Sequence, residues 1–362
     1  MRHMIFGESH GPAIGVVLEG VPAGLELDLE QVQKELDRRK PGQDPTATAR
    51  KESDLVEVLS GVFEGKTTGA PLAMVIHNSD QHSKDYESIR YTPRPSHGDY
   101  AGFIKSKDCL DYRGGGHFSG RLTAPLVAAG AVAKQVLAGH GVKVGAHISS
   151  IYGICDAALE DPEDLKGVAA KAFPVLDDSK GEEMRQAILE AKEERDSVGG
   201  AIECAVTGLP AGVGSPMFQG LESQLAATLF AIPAVKGVEF GSGFGAAGMR
   251  GSEHNDPFVL EHGAIRTASN HAGGILGGIS SGMPVVFRAA FKPTPSIAQK
   301  QHTVRLSAGT EEELQITGRH DPCIVPRAVP VVEAAAALVL LDALLDRNTD
   351  QIAWSAPQGA RP

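Results

Sequence analysis

One glycine–proline pattern occurs twice in this chain. Gly11-Pro12-Ala13-Ile14 through Gly20-Val21-Pro22-Ala23-Gly24 returns 188 positions later as Gly199-Gly200-Ala201-Ile202 through Gly208-Leu209-Pro210-Ala211-Gly212. A second echo follows in the same order, Gly65-Lys66-Thr67-Thr68-Gly69-Ala70-Pro71 against Gly278-Ile279-Ser280-Ser281-Gly282-Met283-Pro284. A single match of this kind is turn chemistry. Two in order, each flanked by apolar, strand-like residues, read as a duplicated supersecondary unit, and a duplicated unit restricts the fold to architectures with internal pseudosymmetry.

Each copy reads as strand, turn, helix, strands. In the first, Ala13 to Glu19 is apolar and β-branched, Asp28 is placed to cap a helix over Leu29 to Arg39, and Val56 to Phe63 and Leu72 to His77 have strand character. The second gives a strand over Ala201 to Thr207, a helix from Met217 to Phe230, and strands near Val235 to Phe240 and Val285 to Phe291. Between them lie a helix from Leu122 to Ala138, a strand from Val142 to Ile151 and a charged helix from Glu182 to Arg195. The run Val329 to Leu345 is the most apolar in the chain, but it carries Glu333 and Asp342 and is short for a membrane span, so it predicts a buried helix. The elements predict two sheets around a shared helical layer, α+β in class, in one domain over residues 1–348 with repeat units near 11–78 and 199–292. Residues 349–362, polar and proline-containing, are expected to form a flexible tail.

The chain has 362 residues, 42% of them hydrophobic and 22% charged, enough for a large core without staples. Its net charge of −11 argues against nonspecific nucleic-acid or membrane-surface binding, so any anion site must be a local positive pocket. Cys109, Cys155, Cys204 and Cys323 show neither paired nor metal-ligand spacing, which predicts no metal site, no disulfide framework and a reducing cytoplasm. No apolar leader precedes the first motif.

Several segments carry chemistry. Phe6-Gly7-Glu8-Ser9-His10-Gly11 and Arg94-Pro95-Ser96-His97-Gly98-Asp99 each set a histidine among glycines and small polar residues, which suits proton transfer beside a close-lying ligand. Arg38-Arg39-Lys40 closes the first helix and Arg50-Lys51 follows; they form either a solvated, dipole-compensating helix end or a set of bidentate anion contacts. Arg113-Gly114-Gly115-Gly116-His117-Phe118-Ser119-Gly120-Arg121 leads into a helix and reads as an anion cradle or as a plain flexible loop. A third glycine cluster, Asn270 to Gly282, is followed by Lys292-Pro293-Thr294-Pro295-Ser296. Gly318-Arg319-His320-Asp321-Pro322 precedes the last helix.

Taken in order, GESHG at Gly7 to Gly11, DRRKPG at Asp37 to Gly42, RPSHGD at Arg94 to Asp99, RGGGHFSGR at Arg113 to Arg121, SNHAGGILGGISSG at Ser269 to Gly282, KPTPS at Lys292 to Ser296 and GRHDP at Gly318 to Pro322 resemble the chorismate synthase family over nearly the whole chain. The resemblance implies a β-α-β sandwich of two antiparallel sheets, a homotetramer, and a lyase that converts 5-enolpyruvylshikimate 3-phosphate to chorismate and phosphate by anti 1,4-elimination, using reduced FMN without net redox change. By motif, His10 would protonate the departing phosphate, His97 would set the protonation of the flavin, and Ser9 with Asp321 would form a relay. Arg39, Arg50, Arg121 and Arg319 would contact substrate, Arg319 also the flavin. FMN would be held by His117, Phe118, Ser119, Pro233, Ala234, Gly277 and Lys292 through Ser296 (Lys292, Pro293, Thr294, Pro295, Ser296). NADPH, or a separate flavin reductase, would supply the reducing equivalents. Against these readings stand a flavin-independent lyase or phosphatase and a non-enzymatic anion binder; the histidines, Ser9 and Asp321 speak against the second. The chain departs from the family pattern at Pro45, where many members have arginine, at Ser96, where they have glycine, and before Phe6, where the first strand looks curtailed.

Overall fold

A computed structural model describes residues 1–42, 44–47, 52–79, 89–316 and 320–353, with side chains through 347, and in it the repeat becomes two antiparallel sheets. The first sheet runs in the order β1 (Arg2–Gly7), β2 (Ala13–Glu19), β6 (Leu72–His77), β3 (Val56–Ser60). The second runs β8 (Ile154–Cys155), β7 (Lys143–Ile151), β9 (Gly200–Thr207), β15 (Val285–Phe291), β10 (Val235–Phe240). Apart from the short edge strand β8, the two orders are the same. Among the described residues four hairpins complete the β structure: β4–β5 (Val62–Phe63, Lys66–Thr67), β11–β12 (Phe258–Glu261, Ala264–Thr267), β13–β14 (Ile275–Leu276, Ile279–Ser280) and β16–β17 (Lys300–Arg305, Thr310–Gln315). The α-helices are α1 (Leu29–Arg39), α2 (Asp99–Ser106), α3 (Thr123–Gly139), α4 (Asp178–Glu193), α5 (Leu221–Phe230), α6 (Gly251–His254) and α7 (Val325–Ala353).

The repeat extends to individual hydrogen bonds. The Thr67 hydroxyl donates to the Pro22 carbonyl (2.6 Å) and accepts from the Leu25 N–H (3.0 Å). The Ser280 hydroxyl does the same with Pro210 (2.6 Å) and Val213 (2.9 Å). The Gly24 and Gly212 N–H groups then bond the carbonyls of Thr67 and Ser280. Hence each copy needs a small hydroxyl residue in its G-x-(S/T)-(S/T)-G hairpin, which fastens the Val-Pro-Ala-Gly or Leu-Pro-Ala-Gly turn.

Helices α1, α3, α5 and α7 form one layer between the sheets. α3 packs on β2 and β6, α7 on β7 and β9, and α5 on β10, while α3 and α7 pack on each other. Alanine and glycine let these two helices approach: a Cβ on Gly130 would lie 2.2 Å from the Ala334 Cβ. Gly120–Gly139 and Val325–Arg347 are apolar and long enough to cross a membrane, but the most apolar stretch of each is 78% buried inside the protein. Their all-round apolarity comes from being covered on both sides. At the centre of the layer the Glu333 carboxylate, 1% exposed, accepts from both Arg38 Nη atoms (2.6 and 2.9 Å), from Lys134 and from the Ala146 N–H (3.1 Å). Burial alone would push its pKa up, but Lys134 and Arg38 hold it well below the ordinary carboxylate range.

Several element boundaries differ from expectation. The helix expected from Met217 starts at Leu221, after a 3₁₀ turn over Met217–Gln219 and Gly220. The strand expected over 56–63 breaks at Gly61, whose φ of +85° and 2.6 Å Cβ approach to the Leu72 Cα admit only glycine. α4 begins at Asp178 because Asp177 caps it. α7 begins at Val325, since Pro326 in its first turn needs no hydrogen-bond donor, and continues to Ala353. The rest of the expected tail, 354–362, lies outside the described residues. β1 is not curtailed with respect to its partner: all six of its residues pair with β2, from Arg2 opposite Glu19 to Gly7 opposite Ile14.

Thr67→Val and Ser280→Ala should each lower the unfolding free energy by about 1–3 kcal/mol, because each leaves a carbonyl and an N–H without partners. Urea unfolding of the two variants checks this, and the equivalence of the copies predicts similar costs.

Candidate active site

A cavity of about 530 Å³ opens where α1 and α5 end and α7 begins. Its walls bring together most of the segments singled out in the sequence: Arg39, His97, His117, Phe118, Ser119, Arg121, Pro233, Ala234, Lys292, Thr294, Pro295, Ser296 and Asp321. Pro293 is exposed and does not line it. Gly277 sits exposed at the tip of the β13–β14 hairpin, away from this wall, with a φ of +61° that suits the tip itself. Arg50 and Arg319 lie outside the described residues.

Arginine dominates one wall. The Arg39 guanidinium, 4% exposed, donates to Asp54 Oδ2 (2.8 Å), Thr123 Oγ1 (3.0 Å) and the Gly120 carbonyl (3.3 Å). Arg121 pairs with the other Asp54 oxygen, with Glu52 (2.7 Å) and with Asn78 Oδ1 (3.0 Å). Asn78 in turn donates to the carbonyls of Glu8 and Gly11, which couples the first histidine segment to Arg121. Arg327 pairs with Asp321 and donates to the Arg39 carbonyl (3.0 Å). Burial pushes the Arg39 pKa down to about 10, with Asp54 opposing and Arg327 and Arg121 adding to the fall; the group stays cationic at neutral pH. Asp54 would be raised by its burial, but Arg39 and Arg121 hold it below its usual range. The result is a fixed set of guanidiniums with donors to spare, a surface for bidentate recognition of phosphate or carboxylate.

The glycine run Gly114-Gly115-Gly116 has left-handed φ at all three positions (+61°, +83°, +53°). What it provides is close approach to both histidines. A Cβ on Gly114 would lie 2.0 Å from His10 Nδ1 and 2.7 Å from Ser9 Oγ, and one on Gly115 would lie 3.3 Å from His97 Cε1. Ser9 and His10, 6% and 3% exposed, therefore sit behind this loop, and neither lines the cavity directly. Ser119, which does line it, donates from Oγ to the Ser9 hydroxyl (3.2 Å). The His117 ring is fixed through Nδ1 on the Gly7 carbonyl (3.1 Å).

The second histidine segment ends in the first residue of α2. His97 Nδ1 lies 2.6 Å from Asp99 Oδ1, and Asp99 is held by Arg94 through its N–H (3.0 Å), Nε (2.7 Å) and Nη2 (2.8 Å). Arg94 also reaches Ser296 Oγ (3.2 Å) across the cavity wall. Ser96 adopts a left-handed φ of +58°, so the chain keeps at this position the turn that a glycine would take, at a cost of about 1–2 kcal/mol. The rest of the lining is largely apolar, with Phe230, Ile232, Phe291, Ile324 and Val331, and includes two lysines, Lys236 and Lys292. Burial, then the neighbouring Lys236, lowers the Lys292 pKa.

Sequence reasoning assigned no role to Arg94, Asp99, Glu52, Asp54, Lys236 or Arg327. Arg94 and Asp99 stood inside a quoted motif, where a donor and a carboxylate flanking His97 were the available signal. Glu52, Asp54 and Arg327 had none, because only folding brings them to Arg39 and Arg121.

Comparison with known proteins gives one answer. The family model described as chorismate synthase matches residues 1–345. Curated chorismate synthases from Methanocella arvoryzae (52% identical, covering 95% of this chain and 92% of that protein) and Thermococcus kodakarensis (50%, 95% and 96%) are similar over nearly their full lengths. A crystal structure of a chorismate synthase superposes with a TM-score of 0.75 at 32% identity, covering 97% of each chain.

The packing of the glycine loop gives a direct test. Gly114→Ala should displace the His10 ring, shift its NMR resonances and cost about 1–3 kcal/mol of stability. Gly120→Ala, with open space at its Cβ and no left-handed φ, should do neither.

Proposed function

Because the chain belongs to the chorismate synthase family, lyases of the shikimate pathway that form chorismate and phosphate from 5-enolpyruvylshikimate 3-phosphate, we propose that this cavity is where the reaction takes place and that it binds reduced FMN beside the substrate. The observation that carries this reading is that one cavity combines a set of guanidiniums with an apolar lining that holds two lysines, in a protein whose net charge is −11. A substrate bearing one phosphate and two carboxylates suits the first, and a flavin ring with a phosphate tail suits the second.

The residues present fit the cofactor. Thr294 Oγ1 is buried in the cavity wall with no hydrogen-bond partner among the described residues, an unmet polar group of the kind a ligand satisfies. The Lys236–Lys292 repulsion would be relieved by a phosphate placed between them. Phe118, Pro233, Ala234 and the Lys292 to Ser296 segment would hold the ring and its tail, with Gly277 reaching the flavin only if another copy of the chain presents it. Bound reduced flavin supplies electron density that helps the phosphate leave and a place for the hydrogen lost from C6.

The side chains act on protons and charge. Arg39 and Arg121, with Arg50 and Arg319, hold the anionic groups and stabilise negative charge as the carbon–oxygen bond to phosphate breaks. His10 supplies the proton for the departing phosphate from behind the glycine loop, next to Ser9, whose hydroxyl accepts from the cavity-lining Ser119. Asp321, paired with Arg327, completes a relay with Ser9. His97 governs the proton on the flavin. NADPH, or a separate reductase, reduces the cofactor. The apolar residues exposed at Met217, Phe218, Phe244, Phe258, Leu260 and Ile265 support assembly into a homotetramer, which would cover them. Four free cysteines suit a reducing cytoplasm.

An anaerobic assay with 5-enolpyruvylshikimate 3-phosphate should release chorismate and phosphate in equal amounts with reduced FMN and none without it. His10→Ala should slow turnover by about 10²- to 10⁴-fold. Product formation without flavin would overturn the reading.

A further inference from the structure

The motif Arg94 to Asp99 contains a carboxylate to which the reading above gives no task. Asp99 Oδ1 lies 2.6 Å from His97 Nδ1. Three donors of Arg94 converge on that carboxylate, two of them on Oδ2 and one on Oδ1. All three side chains are largely buried, with exposures of 5% for Arg94 and 15% each for His97 and Asp99. Burial alone would raise the Asp99 pKa, but hydrogen bonds from Arg94 and His97 hold it well below the usual carboxylate range, so the group is ionised wherever the protein works.

An ionised carboxylate only accepts hydrogen bonds, so the 2.6 Å contact requires the proton of neutral His97 to be on Nδ1. Arg94 Nη2 also lies near that nitrogen (3.1 Å), but a guanidinium only donates and cannot bond to a protonated Nδ1. It acts through Asp99 instead. With Nδ1 occupied, Nε2 is the nitrogen that exchanges a proton. Nε2 lies 3.4 Å from where a Cβ on Gly115 would be, in the cavity wall beside the glycine loop.

The geometry points to Asp99 as a positioning residue for the elimination: buttressed by Arg94 and, through it, by Ser296, it fixes His97 in the Nδ1–H form so that Nε2 takes up and returns the proton. This rests on the reading that His97 governs proton placement at the flavin. A histidine oriented by a buried carboxylate is effective because only one nitrogen is left to react.

Asp99→Asn tests it, because Arg94 dictates how the amide sits. The two Arg94 donors on Oδ2 outweigh the single one on Oδ1, so the amide oxygen takes the Oδ2 position at the expense of the Nη2 contact, which leaves the NH₂ facing His97. That NH₂ donates to Nδ1 and moves the imidazole proton to Nε2. Nitrogen-15 NMR of the histidine-labelled protein at alkaline pH, without flavin or substrate and with the His97 signals identified by their loss in His97→Gln, should show Nδ1–H in the native protein and Nε2–H in Asp99→Asn. Turnover with reduced FMN should fall at least 10²-fold in kcat, with KM for the substrate within about threefold, and Asp99→Glu should recover part of it. Retention of the Nδ1–H form in Asp99→Asn overturns the proposal, as does a changed tautomer with unchanged kcat. If the native protein needs no flavin, the reading of the cavity fails while the tautomer result still decides whether Asp99 orients His97.

Discussion

Two adjacent arginines at the end of α1 are each held by a buried carboxylate, and both the fold and the site hang on that arrangement. Arg38 turns inward to Glu333, which also takes Lys134 and the Ala146 N–H and so joins α1, α3, α7 and the second sheet. Arg39 turns to Asp54, which also takes Arg121 and so joins α1 to the entrance of α3 beside the cavity. Removing one partner of a buried pair leaves a desolvated charge and costs about 3–5 kcal/mol. The arginine that organises the helical layer is thus the sequence neighbour of the one that faces the cavity, and the cavity wall inherits the rigidity of the core.

Duplication explains why the cavity lining is both ionic and apolar. The repeat brings the ends of α1 and α5 to the same place, together with the starts of β3 and β10. From those positions the first copy gives the cavity Arg39 and Glu52, and the second gives it Phe230 to Ala234. One backbone plan therefore contributes ionic side chains from one copy and apolar ones from the other. The histidine segments and the glycine loop, which have no counterpart in the second copy, are packed into the seam. Gly114 and Gly115 lie against His10 and His97 in turn, so one loop sets the position of both.

Much of this was legible in the sequence for identifiable reasons. The repeat showed because its turns need glycine and proline at fixed positions. α1 was read to the residue because Asp28 caps it and Arg38-Arg39 close it. Most of the candidate residues could be picked out because their motifs are short and distinctive, and the larger part of them line the cavity, though Gly277 and Pro293 do not. Three things were not legible. The Asp54 and Glu52 carboxylates lie in a polar loop with no local pattern, and their meaning is set by Arg121, 67 residues away in the case of Asp54. The glycine run read as an anion cradle, since sequence cannot show that its open side faces two imidazoles. The β11–β12 hairpin escaped because its apolar residues are exposed at Phe258, Leu260 and Ile265, against the burial on which strand patterns rest.

The most direct measurement of the central claim is the substrate affinity of Asp54→Asn, read as KM under anaerobic turnover together with its thermal unfolding. Removing the carboxylate makes the cavity more positive, so if charge alone recruits the anion, affinity must rise. If Asp54 instead holds Arg39 and Arg121 in the geometry that grips the substrate, KM should increase about tenfold or more, with stability falling by about 3 kcal/mol. A lower KM with unchanged stability would contradict the account.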